Sequence, residues 1–253
     1  MNPQRAAWTA AFPAAWILAA EPEVKRHPDY LAAKRGDAES AARLVRALVK
    51  DQTIDAIGAQ LAGRRPIVAS VHAQESQGVN AIPEALADLI AQRLGWATDA
   101  TLVQANVVSH TGADGFSRLA RQALFDGDVV QGAEYLMVDD FIGQGGTLAN
   151  FRGHIEARGG KVVGAVSLTG KPFSAKLAIT DKQLADLRSK HGELEIWWRA
   201  RFGFDFHALT ESEARYLFRT ADAETVRNRI AAVAQAANGG QGEGGVDPGL
   251  GLG

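Results

Sequence analysis

Residues 135–147 read Tyr-Leu-Met-Val-Asp-Asp-Phe-Ile-Gly-Gln-Gly-Gly-Thr. Four apolar residues deliver a buried strand, and two carboxylates, Asp139 and Asp140, stand at its carboxyl end. A glycine-rich turn then leads directly into a helix. Backbone N–H groups of such a turn, with a helix N-terminus behind them, form a nest for an anion such as phosphate. Glycine allows the close approach and the positive φ values that a nest requires. Paired carboxylates beside a phosphate site repel the anion unless they face something else. The vicinal hydroxyls of a ribose, or a bound Mg2+, are what they suit. The segment lacks the Lys-Ser/Thr of a Walker A loop and the G-x-G-x-x-G of a dinucleotide fingerprint. An ordinary strand-to-helix connection is the bland alternative.

The elements that must position this turn follow from pattern. Pro66–Val71 is a short run rich in β-branched residues, and Thr101–Val108 and Tyr135–Val138 are two more strand candidates. Lys161–Leu168 is a fourth. Helical stretches lie between them: Pro83–Leu94, with proline in the first turn and Gly95 as terminator, a short one around Phe116–Phe125, and Thr147–Arg158, closed by Gly159-Gly160. Alternating strands and helices predict an α/β fold, a Rossmann-like parallel sheet with helices on both faces. In such sheets ligands bind beyond the carboxyl ends of the strands, where the strand order reverses. Residues 1–60 read as a helical N-terminal region, with Ala41, Leu44, Val45, Leu48 and Val49 at helical spacing behind Gly36-Asp37. The expected organisation is completed by the α/β core over 61–170, a mainly helical C-terminal cap over 171–237, and a tail over 238–253. That tail is mostly glycine, has no packing material and is expected to be disordered.

Composition narrows the function classes. The chain has 253 residues, 46% of them apolar, enough for a substantial core. Its 27 basic and 29 acidic side chains give a formal charge of −2, without the basic balance of a dedicated nucleic-acid binder. Cysteine is absent, which excludes disulfides, thiolate metal sites and a cysteine nucleophile. No apolar run approaches the roughly 18 residues of a membrane span. Ala6–Ala20 follows Arg5 and ends in small residues, as a signal peptide would. Its alanine-based character, Pro13 and two tryptophans favour an N-terminal helix packed on the core. A cytoplasmic location is expected.

The Tyr135–Thr147 segment closely resembles the phosphoribosyl pyrophosphate (PRPP) motif of type I phosphoribosyltransferases: an apolar strand, two acidic residues and a T-G-G-T-like turn. The resemblance covers roughly residues 66–170, and only 135–147 matches tightly. It implies that Asp139 and Asp140 bind the ribose 2′- and 3′-hydroxyls, with Mg2+ at the same carboxylates. It also implies that Gly143, Gln144, Gly145, Gly146 and Thr147 cradle the 5′-phosphate. Gln144 stands where the family usually has threonine, so an amide replaces a hydroxyl at the phosphate.

By order of elements, the family's pyrophosphate loop falls on Ala73–Gly78, including Gln77 and Gly78; a plain strand-to-helix loop is the alternative. Its mobile catalytic loop falls on Ser109–Phe125, where Arg118 and Arg121 could reach the leaving pyrophosphate. Arg118 with Gln122 resembles the spacing in the competence-protein-like branch. For either arginine alone, a solvated helix face reads as well, and His110 reads as polar surface. Lys171 resembles the lysine with which 6-oxopurine enzymes contact the purine, but those enzymes carry an aspartate where this chain has Gly143. Trp197, Trp198 and Phe202 read either as base-stacking residues or, more simply, as core.

The activity implied is transfer of the phosphoribosyl group from Mg2+-PRPP to a nitrogenous base, with pyrophosphate released. Asp139, Asp140, Arg118 and Arg121 would carry it. A non-catalytic PRPP- or nucleotide-binding regulator is the alternative. The partners expected are PRPP and a nucleobase-like molecule, without membrane or nucleic acid, in a homodimer.

Overall fold

An uninterrupted apolar run such as Tyr135–Val138 sends side chains to both sides of a strand, so it can be buried only if both faces of the sheet are covered. The structure, a computed structural model, describes residues 4–72, 74–75, 78–106 and 114–239 and realises that arrangement. In chain order the elements are β1 (Trp16–Ile17), α1 (Glu21–Arg26), α2 (Tyr30–Lys34), α3 (Ala38–Leu48), α4 (Asp51–Gln60), β2 (Ile67–Ser70), β3 (Gln74–Glu75), β4 (Gly78–Val79), α5 (Ile82–Leu94), β5 (Thr98–Asp99), β6 (Val103–Gln104), α6 (Gly115–Ala120), β7 (Phe125–Asp126), β8 (Glu134–Ile142), α7 (Gly146–Ala157), β9 (Lys161–Gly170), α8 (Asp181–Phe202), α9 (Glu211–Arg219) and α10 (Ala223–Gly239). Two 3-10 turns, Pro172–Ser174 and Phe206–Ala208, flank α8.

The main sheet has the order β1-β9-β8-β2-β5, every pair parallel. From β2 the chain crosses through α5 to β5 on one side, then returns to place β8 on the other. The order therefore reverses between β2 and β8, which opens a crevice at their carboxyl ends. The short pairs β3-β4 and β6-β7 are antiparallel.

Along β8 the side chains divide by parity. Leu136 and Val138 join Val68, Val166 and Leu168 against α3, α4 and α5. Tyr135 and Met137 join Ala69, Ala165 and the Leu148, Phe151 and Ile155 face of α7. A third cluster lies outside the sheet and unites α6, α8, α9 and α10 around Trp198.

Several expectations are corrected here. The Ala6–Ala20 segment is not a helix: residues 4–15 are irregular and Trp16–Ile17 is an edge strand beside β9. Pro13 interrupts helical continuity, and the backbone is satisfied elsewhere, with Leu18 and Ala19 N–H groups donating to the Ser167 and Leu168 carbonyls. The strand expected over Thr101–Val108 is divided, because Asp99 accepts from both the N–H and the hydroxyl of Thr101 and ends β5 in a turn. Val103–Gln104 then pairs with β7 instead of the main sheet. The C-terminal helix runs to Gly239, one residue past the start of the expected tail; the rest of that tail lies outside the described residues.

Trp198 and Phe202 are core residues, not a base platform. Trp198 is fully buried, with ring centroids of Phe202, Phe204 and Phe206 at 4.5, 6.2 and 6.1 Å. Trp198→Ala is expected to lower the unfolding free energy by about 3–5 kcal/mol, read from denaturant midpoints. A variant as stable as the parent would contradict the core assignment.

Candidate functional site

The parity that sorts the apolar residues of β8 also separates its two carboxylates. Asp139 continues the Tyr135–Met137 face and is buried, while Asp140 continues the opposite face and stays half-buried. There Asp140 Oδ2 meets the Lys34 ammonium of α2 at 3.1 Å. Asp139 accepts the Asp140 N–H at 2.8 Å. Burial, reinforced by the neighbouring Asp140 charge, pushes the Asp139 carboxyl well above the ordinary carboxylate range.

Beyond the strand the chain turns into α7. Gly145 occupies the N-cap position with φ of +81°, a left-handed conformation that favours glycine, and no side chain caps the helix. A Cβ at Gly145 would also lie 2.7 Å from Leu177 Cδ2. The turn is held through its carbonyls. Ser174 donates its hydroxyl to the Gly143 carbonyl, and Thr210 donates to the Gln144 carbonyl at 2.5 Å. Arg5 Nη2 donates to the Gly146 carbonyl at 3.5 Å. The side-chain oxygen of Gln144 is buried with no hydrogen-bond partner among the described residues.

Turn and carboxylates line one cavity of about 700 Å3, a size suited to a small-molecule ligand. Seven cationic side chains share it (Lys25, Lys34, Arg118, Arg121, Lys171, Arg215 and Arg219) against four acidic ones (Glu21, Asp139, Asp140 and Glu213). That balance favours a polyanion.

The cavity brings together Asp139, Asp140, Gly143–Thr147, Arg118, Arg121 and Lys171 from the sequence expectations. The guanidinium of Arg118 lies against the open side of Gly143. Lys171 is bonded to Glu21 at 2.6 Å, and Lys25 holds the same carboxylate at 2.6 Å. These two cations keep Glu21 below its ordinary carboxylate range. Gly78 does not line the cavity; it packs against the Arg35 backbone, and Asn80 lines the cavity in its stead. Ala73, Gln77 and His110 lie outside the described residues.

The sequence reading missed Lys34, Arg215, Arg219, Glu213 and Arg5. Arg215 and Arg219 are four apart in α9, behind the Thr210–Glu213 capping box, a pattern readable as a cationic helix face. Arg5 left no local signal. Among the described residues, the three-member cluster able to ligate a metal is Glu195, Asp205 and His207, none of which lines the cavity. No helix among the described residues is long and apolar enough to cross a membrane.

No family model matches the chain. It is 39% identical over 206 residues to Protein TraN of Escherichia coli, an alignment covering 81% of this chain and 46% of that protein. It is 36% identical over 151 residues to an uncharacterized protein of Haemophilus influenzae, covering 60% of this chain and 34% of that one. The chain thus spans less than half the length of the curated relatives it matches. Among solved structures, it is similar to adenine phosphoribosyltransferase from Thermoanaerobacter pseudethanolicus, with a TM-score of 0.36 and 18% identity over 54% of this chain and 74% of that one.

The Asp139 environment has a measurable consequence. A carboxyl that binds its proton more tightly when folded stabilises the fold below the ordinary carboxylate range, and that contribution is lost as pH rises through the elevated folded value. Asp139→Asn keeps an acceptor for the Asp140 N–H and carries no charge. It is expected to raise the Tm at pH 7–8, with the gain shrinking toward pH 4. A gain that grows as pH falls, followed by calorimetry, would show the opposite linkage.

Proposed function

We propose that the chain binds PRPP and transfers its phosphoribosyl group to a nitrogenous base, releasing pyrophosphate. The observation that carries this reading is the placement of two carboxylates and an uncapped, glycine-turned helix N-terminus in one cationic cavity, at the reversal of strand order. An anionic group suits the backbone N–H groups of the turn and the uncapped start of α7. Asp139 and Asp140, separated from the turn by Phe141 and Ile142, suit the two hydroxyls of a ribose whose phosphate sits in the turn.

In this reading Asp139 and Asp140 orient the ribose, and Gly143–Thr147 hold the 5′-phosphate. Arg118 and Arg121 neutralise the charge that develops on pyrophosphate. The bond from C1 of the ribose to the pyrophosphate oxygen breaks with its electron pair on that oxygen, a bond to the base nitrogen forms, and the proton of that nitrogen passes to the departing pyrophosphate or to water. Positive charge builds at C1 in between, so fixed carboxylates nearby and an oriented leaving group are the means of catalysis.

The carboxylate pair fits Mg2+ as a hard oxygen donor set, although Lys34 already engages Asp140, so most of the ion's ligands would come from PRPP and water. Bound there, Mg2+ would supply charge neutralisation to the pyrophosphate. Lys171 is the proposed contact to the base edge, which requires it to exchange Glu21 for the acceptor.

Asp139→Asn with Asp140→Asn is expected to abolish PRPP binding in calorimetry; unchanged affinity would remove the site assignment. Wild-type protein given Mg2+-PRPP and a panel of purine and pyrimidine bases should release pyrophosphate with one class of base. Tight PRPP binding without base-dependent release would instead favour the regulatory role.

A further inference from the structure

Arg5 belongs to neither the strand-turn-helix motif nor the cationic lining, yet it lies at the centre of the polar network behind the turn. Its side chain is 0% exposed and that of Glu213 is 2% exposed. The guanidinium takes Glu213 in a fork, Nη1 to Oε2 at 2.6 Å and Nη2 to Oε1 at 2.9 Å. Nε donates to Asn150 Oδ1 at 2.6 Å, Nη2 also reaches Gln122 Oε1 at 2.8 Å, and Nη1 the Ala208 carbonyl at 3.2 Å. Phe204 stacks on the guanidinium at 4.5 Å. Every N–H direction of the group is thereby used.

Glu213 is the reason this matters. Its Oε1 would lie 2.6 Å from a Cβ on Gly146, so a buried carboxylate abuts the first residue of α7. A negative charge there opposes any anion in the turn, and little solvent is present to screen it. A planar, permanently charged fork is the side chain best able to cancel it in place.

We propose that Arg5 is a positioning residue of the anion site: it keeps the Glu213 carboxylate neutralised and fixed against the Gly145–Gly146 turn, so that the turn can accept phosphate. The inference rests on the proposed reading of the turn as a phosphate cradle. It sets two roles apart by sign. If the Arg5–Glu213 pair were only a structural bond, Glu213→Gln would both destabilise the fold and weaken the ligand. With Arg5 as charge compensator, removing the carboxylate leaves a cation beside the turn and binding tightens.

The test is calorimetric titration of the full chain and of the Arg5→Gln, Arg5→Lys, Glu213→Gln and Arg5→Gln/Glu213→Gln variants. Mg2+-PRPP and inorganic phosphate are the separate probes, with thermal unfolding recorded for each protein. Arg5→Gln is expected to weaken both probes by roughly tenfold or more, and Arg5→Lys by less. Glu213→Gln should bind them about threefold tighter while its Tm falls, and the double variant should return to near the parent affinity. Weaker or unchanged binding by Glu213→Gln overturns the proposal, and that variant decides alone if Arg5→Gln does not fold. Phosphate that follows these signs while PRPP does not bind would spare the inference and remove the PRPP reading. PRPP that binds without them would do the reverse.

Discussion

The two-residue period of β8 governs most of what lies around it. A strand covered on both faces must supply apolar side chains to each, and Tyr135 through Val138 do so alternately. The same alternation carries on past Val138, so adjacent carboxylates are sent to different environments. Asp139 enters the α7 side, where solvent is scarce and its charge is disfavoured; Asp140 enters the side where α2 presents Lys34. Two chemically identical groups thus meet different surroundings from one step of the pleat, and burial raises the proton affinity of Asp139. A one-residue slip of β8 against β2 and β9 would exchange them and expose the whole apolar set to the wrong helices.

The local part of this was legible in the sequence. An apolar run before a glycine turn, a β-branched run at Pro66–Val71, proline at the start of α5 and glycines after α5 and α7 are signals written in adjacent residues, and those elements stand where their patterns put them. The residues of the turn were legible because glycine has a conformational reason to be there, satisfied at Gly145. What could not be read depended on partners remote in the chain. Trp16–Ile17 is a strand only because β9 offers it an edge, and two residues carry no periodicity. Lys171 carried a charge whose partner, Glu21, lies 150 positions away. Arg5 resembled any basic residue near an N-terminus.

The residues around the turn come from five separated stretches: the segment before β1, α6, the β8–α7 connection, the stretch from Ser174 to Leu177 and α9 with its cap. The helices outside the sheet share their own core around Trp198, and that core presses α6 and α9 together, with Tyr216 packed edge-on to Phe116. The arginines of α6 and α9 consequently approach the turn from elements packed around a core of their own, outside the sheet. Position and charge at the site are thus supplied by different layers of the molecule.

Gly153, in the middle of α7, faces the Gln4 carbonyl and the Arg5 backbone at a distance that leaves no room for a side chain. The N-terminal segment is therefore laid directly on the helix backbone and pinned by Arg152, which donates to the Ala6 and Ala7 carbonyls and lies under the Trp8 ring. Every surface this segment covers lies later in the chain, and Glu213 follows it by 208 positions. Contacts that span so much chain form late, because loop closure must precede any gain from them. The sheet and the back of the turn are thus closed by different sets of contacts, and the turn is backed only once Arg5 and Glu213 have met.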